Sequence, residues 1–243
     1  YTYILNDRIF NHRELTSVPV DKLTPLTVAR WWKKINDENP ATVDRNKRAY
    51  SKLRAAIGLA VEYGIIPYNP VEIRAARKRP VRKRKTLPET EDLRGILEHM
   101  PERYKLATAL CLFHGLRIGE TLGLQHRHVE TTPAGYALRI EGTLQRLVND
   151  QQRTCTRWQP KPKTDAGFRQ VPVLAEFNSV IENHLIQFPG TGEEFLTTTA
   201  TGNPVMDTSF RSVFNNAKRR AGAPAEITPH YGRNWLITRL AEA

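Results

Sequence analysis

Residues 77–88, RKRPVRKRKTLP, can join no hydrophobic core. Two prolines bracket Arg82, Lys83, Arg84 and Lys85, and no apolar residue recurs there at helical or strand spacing. A chain interrupted in this way folds as two parts. The expected division is a helical domain over 1–76, a basic linker over 77–88 and a second domain over 89–243. A solvated tether or a basic import-type signal has the same composition. Lying between two folded parts, the run is expected to track phosphates.

The charge supports this division. Residues 1–88 hold 19 Lys and Arg against 8 Asp and Glu, and residues 89–243 hold 18 against 17. The net +12 is therefore concentrated in the first part, which points to a polyanion. The 243 residues suffice for one large or two modest cores. No apolar run approaches the length of about 18 residues that spans a membrane, and no charged-then-apolar leader opens the chain. No membrane partner is expected. Cys111 and Cys155 cannot form a disulfide scaffold or a four-thiolate zinc site, and a reducing cytoplasm fits them. Tyr1 opens the chain and the only methionines are Met100 and Met206, so a piece of a longer protein is expected.

Local patterns predict the elements. Thr24-Pro25 reads as an N-cap followed by proline at the first helical position, with Val28, Trp31, Trp32 and Ile35 at helical spacing. Asn39-Pro40 breaks that helix. A longer one is predicted over about 42–63, stopped by Gly64, with Tyr50, Leu53, Ile57 and Ala60 inward. Arg45, Arg48 and Lys52 fall on its other side, as a DNA-backbone contact or an ordinary solvated face would require. Beyond the linker, helices are predicted at 89–99 and 103–114, with another opening near Arg117. Strands are predicted at 136–148 and 168–173, and helices at 175–187, 207–221 and from Thr228. The fold class expected is mainly α with a small antiparallel β-sheet. No phosphate-binding glycine loop or dinucleotide fingerprint is present, so no ATP or NAD cofactor is expected. His126 and His128 lack a convincing third ligand, so no metal is expected either.

Three short stretches carry polar chemistry. In His114-Gly115-Leu116-Arg117-Ile118-Gly119-Glu120, Arg117 and Glu120 share one face of a turn. Lys161-Pro162-Lys163-Thr164-Asp165 leads through a turn into a strand. Thr228-Pro229-His230-Tyr231-Gly232-Arg233 reads as a capped helix start, with His230 and Arg233 in its first turn. Taken singly, each is matched by a bland reading: an ion pair, a solvated lysine, a surface histidine.

Together, R-x-G-E, then K-T at a hairpin, then P-H-x-x-R at a late helix, the chain resembles the tyrosine recombinase family, most of all its phage-type integrases. Residues Leu23–Pro70 are similar to the helical core-binding domain, and 89–243 to the first three-quarters of a mixed α+β catalytic domain. The resemblance implies that Arg117 and Arg233 clamp the scissile phosphate. Lys163 would be the general acid for the leaving 5′ oxygen, with Lys161 the lesser candidate. His230 would assist proton transfer at the nucleophile, and Glu120 would orient Arg117. Arg45, Arg48, Lys52, Arg82, Lys83, Arg84 and Lys85 would contact DNA, and Arg211, Lys218 and Arg219 are further cations that could.

The implied activity is site-specific recombination through a 3′-phosphotyrosyl intermediate. The partners implied are double-stranded attachment-site DNA and, for the whole protein, a tetramer on paired sites in the bacterial cytoplasm. Alternatives are a type IB topoisomerase, or a DNA-binding protein without chemistry (a degenerate recombinase or architectural factor). The family's nucleophile is a tyrosine beyond the H-x-x-R box, and none of Asn234 to Ala243 is tyrosine. Tyr231, inside the box, cannot face the same way as both His230 and Arg233. This chain is therefore expected to bind DNA as a monomer without cleaving it.

Overall fold

A computed structural model describes residues 2–77, 87–149, 151, 153–160 and 168–242, with side chains through Thr238. The chain divides into two compact units, Tyr1–Arg84 and Lys85–Ala243. No helix among the described residues is long and apolar enough to cross a membrane.

The first unit is helical. It contains α1 (Thr2–Leu5), a π-helical turn (Asn6–Phe10), α2 (Arg13–Thr16), α3 (Pro25–Glu38), α4 (Val43–Glu62) and α5 (Arg74–Arg77). Thr24 caps α3 by accepting a hydrogen bond from the Thr27 N–H at 3.2 Å. Gly64, at φ +69°, ends α4. There the Ile65 N–H bonds Ala60 O and the Gly64 N–H bonds Val61 O, which satisfies two carbonyls at the helix end. Val28, Trp31 and Ile35 of α3 meet Tyr50, Leu53, Ile57 and Ala60 of α4 in one core.

That core also holds a polar cluster without a sequence signal. Arg8 is buried, and its Nε donates to Asn46 Oδ1 at 2.9 Å. Asn46 Nδ2 in turn donates to the carbonyls of Ile35 and Asn39 at 3.2 Å. Each buried polar atom finds a partner, which offsets the cost of its desolvation.

The second unit contains α6 (Thr90–Glu98), α7 (Glu102–Leu112), α8 (Ile118–Leu122), β1 (Val129–Thr132), β2 (Gly135–Ile140), β3 (Thr143–Val148), β4 (Thr154–Gln159) and β5 (Arg169–Pro172), then α9 (Asn178–Gln187), α10 (Asp207–Arg220) and α11 (Tyr231–Glu242). Residues 106–112 of α7 are buried on every side, as expected of a central helix. Leu93, Ile96, Ile181, Phe210, Phe214 and Tyr231 pack in the same core.

The β-structure differs from expectation in detail. There are two antiparallel sheets, one of order β1-β2-β5 and one hairpin of β3 and β4. The stretch predicted to favour strand over 136–148 is interrupted at Glu141-Gly142 and contributes a strand to each sheet. The last helix also begins later than predicted. Residues Thr228 to Tyr231 make a turn closed by Tyr231 N–H to Thr228 O at 2.8 Å, and α11 starts at Tyr231. His230 therefore precedes the helix rather than lying in its first turn.

Candidate phosphate-binding site

The site grows from the turn between α7 and α8. Gly115 stands at φ +64°, which L side chains rarely adopt, and reverses the chain after α7. Arg117 follows in an extended conformation as the N-cap of α8. Glu120 reaches back to it: Oε2 accepts the Arg117 backbone N–H at 3.1 Å, and Oε1 accepts from the guanidinium at 2.7 Å. The Glu120 side chain is 5% exposed and that of Arg117 is 55% exposed. The carboxylate is thus a buried anchor, and the guanidinium presents its remaining donors to solvent.

Arg233 reaches the same turn from α11. Its Nη1 donates to the Gly115 carbonyl at 3.2 Å. Gly232 makes this approach possible, because a Cβ there would overlap the Leu112 backbone and lie 2.5 Å from Cys111 O. The R-x-G-E and H-x-x-R stretches are therefore brought together. His230 is exposed beside them.

Residue 169 has no counterpart in the sequence reading. Arg169 opens β5 opposite Ile140 and donates to both Glu120 oxygens, Nη2 to Oε2 at 2.8 Å and Nη1 to Oε1 at 3.4 Å. Glu120 so lies between two guanidiniums. Burial alone would raise its pKa, but the bonds from Arg169 and from the Arg117 N–H and guanidinium outweigh burial. They hold the carboxyl below its ordinary value.

The turn is also fixed through His114. Its Nε2 accepts the Leu174 N–H at 3.0 Å, and its Nδ1 faces the Ala109 carbonyl at 3.2 Å. That pattern assigns the proton to Nδ1. Burial pushes its pKa down, keeping the ring neutral. Burial also pushes the Cys111 thiol up to about 12, so it is no nucleophile.

Lys161, Lys163, Arg82, Lys83, Arg84 and Lys85 lie outside the described residues. On α4, Arg48 and Lys52 are exposed, and Arg45 is half-buried with its guanidinium 5.4 Å from the Tyr3 ring centre. On α10, Arg211 pairs with Asp207 at 3.6 Å and Arg219 with Asn216. Lys218 is a correction. It is buried and donates to the carbonyls of Ala225 and Ile227 at 2.5 and 2.9 Å. Its ammonium holds the loop before α11 and cannot meet DNA. His128 is buried, with Nδ1 accepting the Gln125 N–H at 3.0 Å. Among the described residues no group of three His, Cys, Asp or Glu could hold a metal ion.

One arginine exposed over a buried carboxylate and a second bonded to the same turn offer planar donors whose geometry matches a phosphate. Residues 86–243 match the model of the phage integrase family, and the chain belongs to that family. It is 27% identical over 234 residues to the integrase of Mycobacterium phage L5, covering 94% of this chain and 59% of that protein. It is 26% identical over 220 residues to a putative prophage phiRv2 integrase of Mycobacterium tuberculosis, covering 88% and 56%. The chain thus spans less than two thirds of these relatives.

Among solved structures, it resembles the Tn1549 transposon integrase in complex with transposon right end DNA. The TM-score is 0.80 and the identity 18%, over 99% of this chain and 79% of that one. It also resembles a lambda integrase dimer bound to a COC′ core site, with TM-score 0.62 and 18% identity over 100% and 83%. The mainly α architecture with small antiparallel sheets is that of these recombinases.

Proposed function

We propose that this chain carries the DNA-binding and phosphate-activating parts of a site-specific recombinase of the phage-integrase type. The observation that carries the reading is the Arg233 to Gly115 bond. It sets two arginines from distant parts of the sequence at one turn. Attack on a phosphodiester builds negative charge on the non-bridging oxygens. Arg117 and Arg233 offer planar paired donors that stay charged without water. Fixed donors of this kind contribute roughly 10²–10³ each in rate.

Lys163 protonates the leaving 5′ oxygen, a step worth about 10²–10⁴ for a well-placed acid. His230 assists proton transfer at the attacking phenol. Glu120 orients Arg117. The phenol comes from a tyrosine outside these 243 residues, so the isolated chain binds DNA without cleaving it. The bond energy is retained as a 3′-phosphotyrosine, which asks for no nucleotide or metal.

The first unit and residues 77–88 grip the duplex backbone through Arg45, Arg48, Lys52, Arg82, Lys83, Arg84 and Lys85. The net charge, concentrated before residue 89, and the DNA complexes of the Tn1549 and lambda integrases support double-stranded DNA as the partner. The whole protein works as a tetramer on paired attachment sites in the host cytoplasm, whereas this chain off DNA is a monomer.

The test is a nicked duplex bearing the element's attachment junction, incubated with the whole protein in EDTA. A covalent protein–DNA band is expected from the whole protein and none from residues 1–243. Binding without any covalent band from either would favour the DNA-binding reading without chemistry.

A further inference from the structure

Charge accounting at Glu120 points to a role for Arg169. Arg117 and Glu120 alone make a neutral pair, with the acid buried and the guanidinium bonded to it at 2.7 Å. A neutral pair is a poor anchor for a phosphate, because the carboxylate repels what the guanidinium attracts. Arg169 changes the sum to one net positive charge. Its two bonds reach both carboxylate oxygens, and its own side chain is more covered than that of Arg117.

Its strand is anchored on the same turn twice. Arg169 ties the start of β5 to Glu120, and the Leu174 N–H just past its end bonds His114, three residues before Arg117. The Leu138 to Val171 and Ile140 to Arg169 register fixes β5 against β2. Arg169 is thus held where it can answer the carboxylate.

We propose that Arg169 is a positioning residue that neutralises Glu120, so that Arg117 meets a phosphate with its charge uncancelled. This rests on reading Arg117 as a phosphate ligand. Arg169 touches no reacting atom. It acts through the carboxylate, and its two bonds reach both Glu120 oxygens.

The experiment titrates inorganic phosphate into the 243-residue chain and follows the Arg117 Nε–H resonance by NMR, assigned with Arg117→Lys. Arg169→Gln should weaken phosphate about tenfold, and Arg169→Lys should stay within about threefold of the unmodified chain. Arg169→Lys keeps the charge that answers Glu120 and leaves the Glu120 anchor of Arg117 in place. The urea midpoint of each variant separates a folding defect from a loss of affinity, and the lysine variant tests the charge where the glutamine one folds poorly.

Equal phosphate affinity in Arg169→Gln and the unmodified chain would overturn the proposal. So would a lysine variant as weak as the glutamine one. An unmodified chain whose Arg117 resonance ignores phosphate would overturn the phosphate reading itself, and this proposal with it.

Discussion

Arg233 Nη1 donates to the carbonyl oxygen of Gly115 at 3.2 Å, across 118 residues of sequence. This bond joins the start of α11 to the turn that carries Arg117. It depends on two glycines, one at each end: Gly115 for its positive φ and Gly232 for its contact with the α7 backbone.

Gly232→Ala should therefore be among the most damaging small substitutions in the second unit. Its Cβ would meet backbone atoms of Leu112 and Cys111, which cannot swing aside. Overpacking of this kind costs about 1–3 kcal/mol or more. Urea unfolding should show the midpoint falling with an unchanged slope. Ala at Gly222, where a Cβ meets nothing within 4 Å, should cost less despite its φ of +67°.

Glu120→Gln should lower stability near neutral pH by ~1–3 kcal/mol, since charge-assisted bonds to a buried group are lost. The folded-state pKa of Glu120 lies below its ordinary 4.5. Its contribution is then fully present above pH 4.5 and is lost as pH falls through the folded value. The gap between unmodified and Glu120→Gln chains should be constant from pH 7 to 5 and close at more acid pH. Thermal unfolding across that range checks it.

Histidine gives a second pH dependence at higher pH. His114, His126, His128 and His184 all have pKa values pushed below 6.5, chiefly by burial. Unfolding lets each take up a proton that the folded ring resists. Stability is then full above pH 6.5 and declines as pH drops below it. His114→Gln should reduce the steepness of that decline, as measured by denaturant midpoints between pH 7.5 and 5.5.

The α4 face should contribute to affinity and not to chemistry. Arg48→Ala should weaken DNA binding and lower the slope of log K against log salt by about 0.9, one phosphate's worth. Cleavage per bound complex by the whole protein should stay within about threefold. Binding isotherms at several salt concentrations test the first part, and single-turnover cleavage at saturation the second.

Much of the first unit was legible because its signals are local. The Thr24-Pro25 cap, the Gly64 stop and the Tyr50, Leu53, Ile57, Ala60 stripe each need only neighbours within a turn or two. Arg8 bonded to Asn46 was not, since nothing near either residue requires a buried polar pair 38 residues apart. The pairing of Arg117 with Glu120 could be read from their spacing, but its burial could not. Arg169 was invisible because its partner lies 49 residues away and is reached only through the β2–β5 register. Lys218 misled for the converse reason. On a helix rich in cations it looks solvated, and only the fold brings the Ala225 and Ile227 carbonyls onto it.

The most direct test of the shared-phosphate account is Arg117→Ala in the whole protein, with cleavage and affinity measured on the same nicked attachment-site duplex. The account predicts that covalent complex formation at saturating protein falls about 10²–10³-fold, with affinity changed by less than about threefold. A variant that loses affinity yet cleaves each bound duplex at the unmodified rate would contradict it.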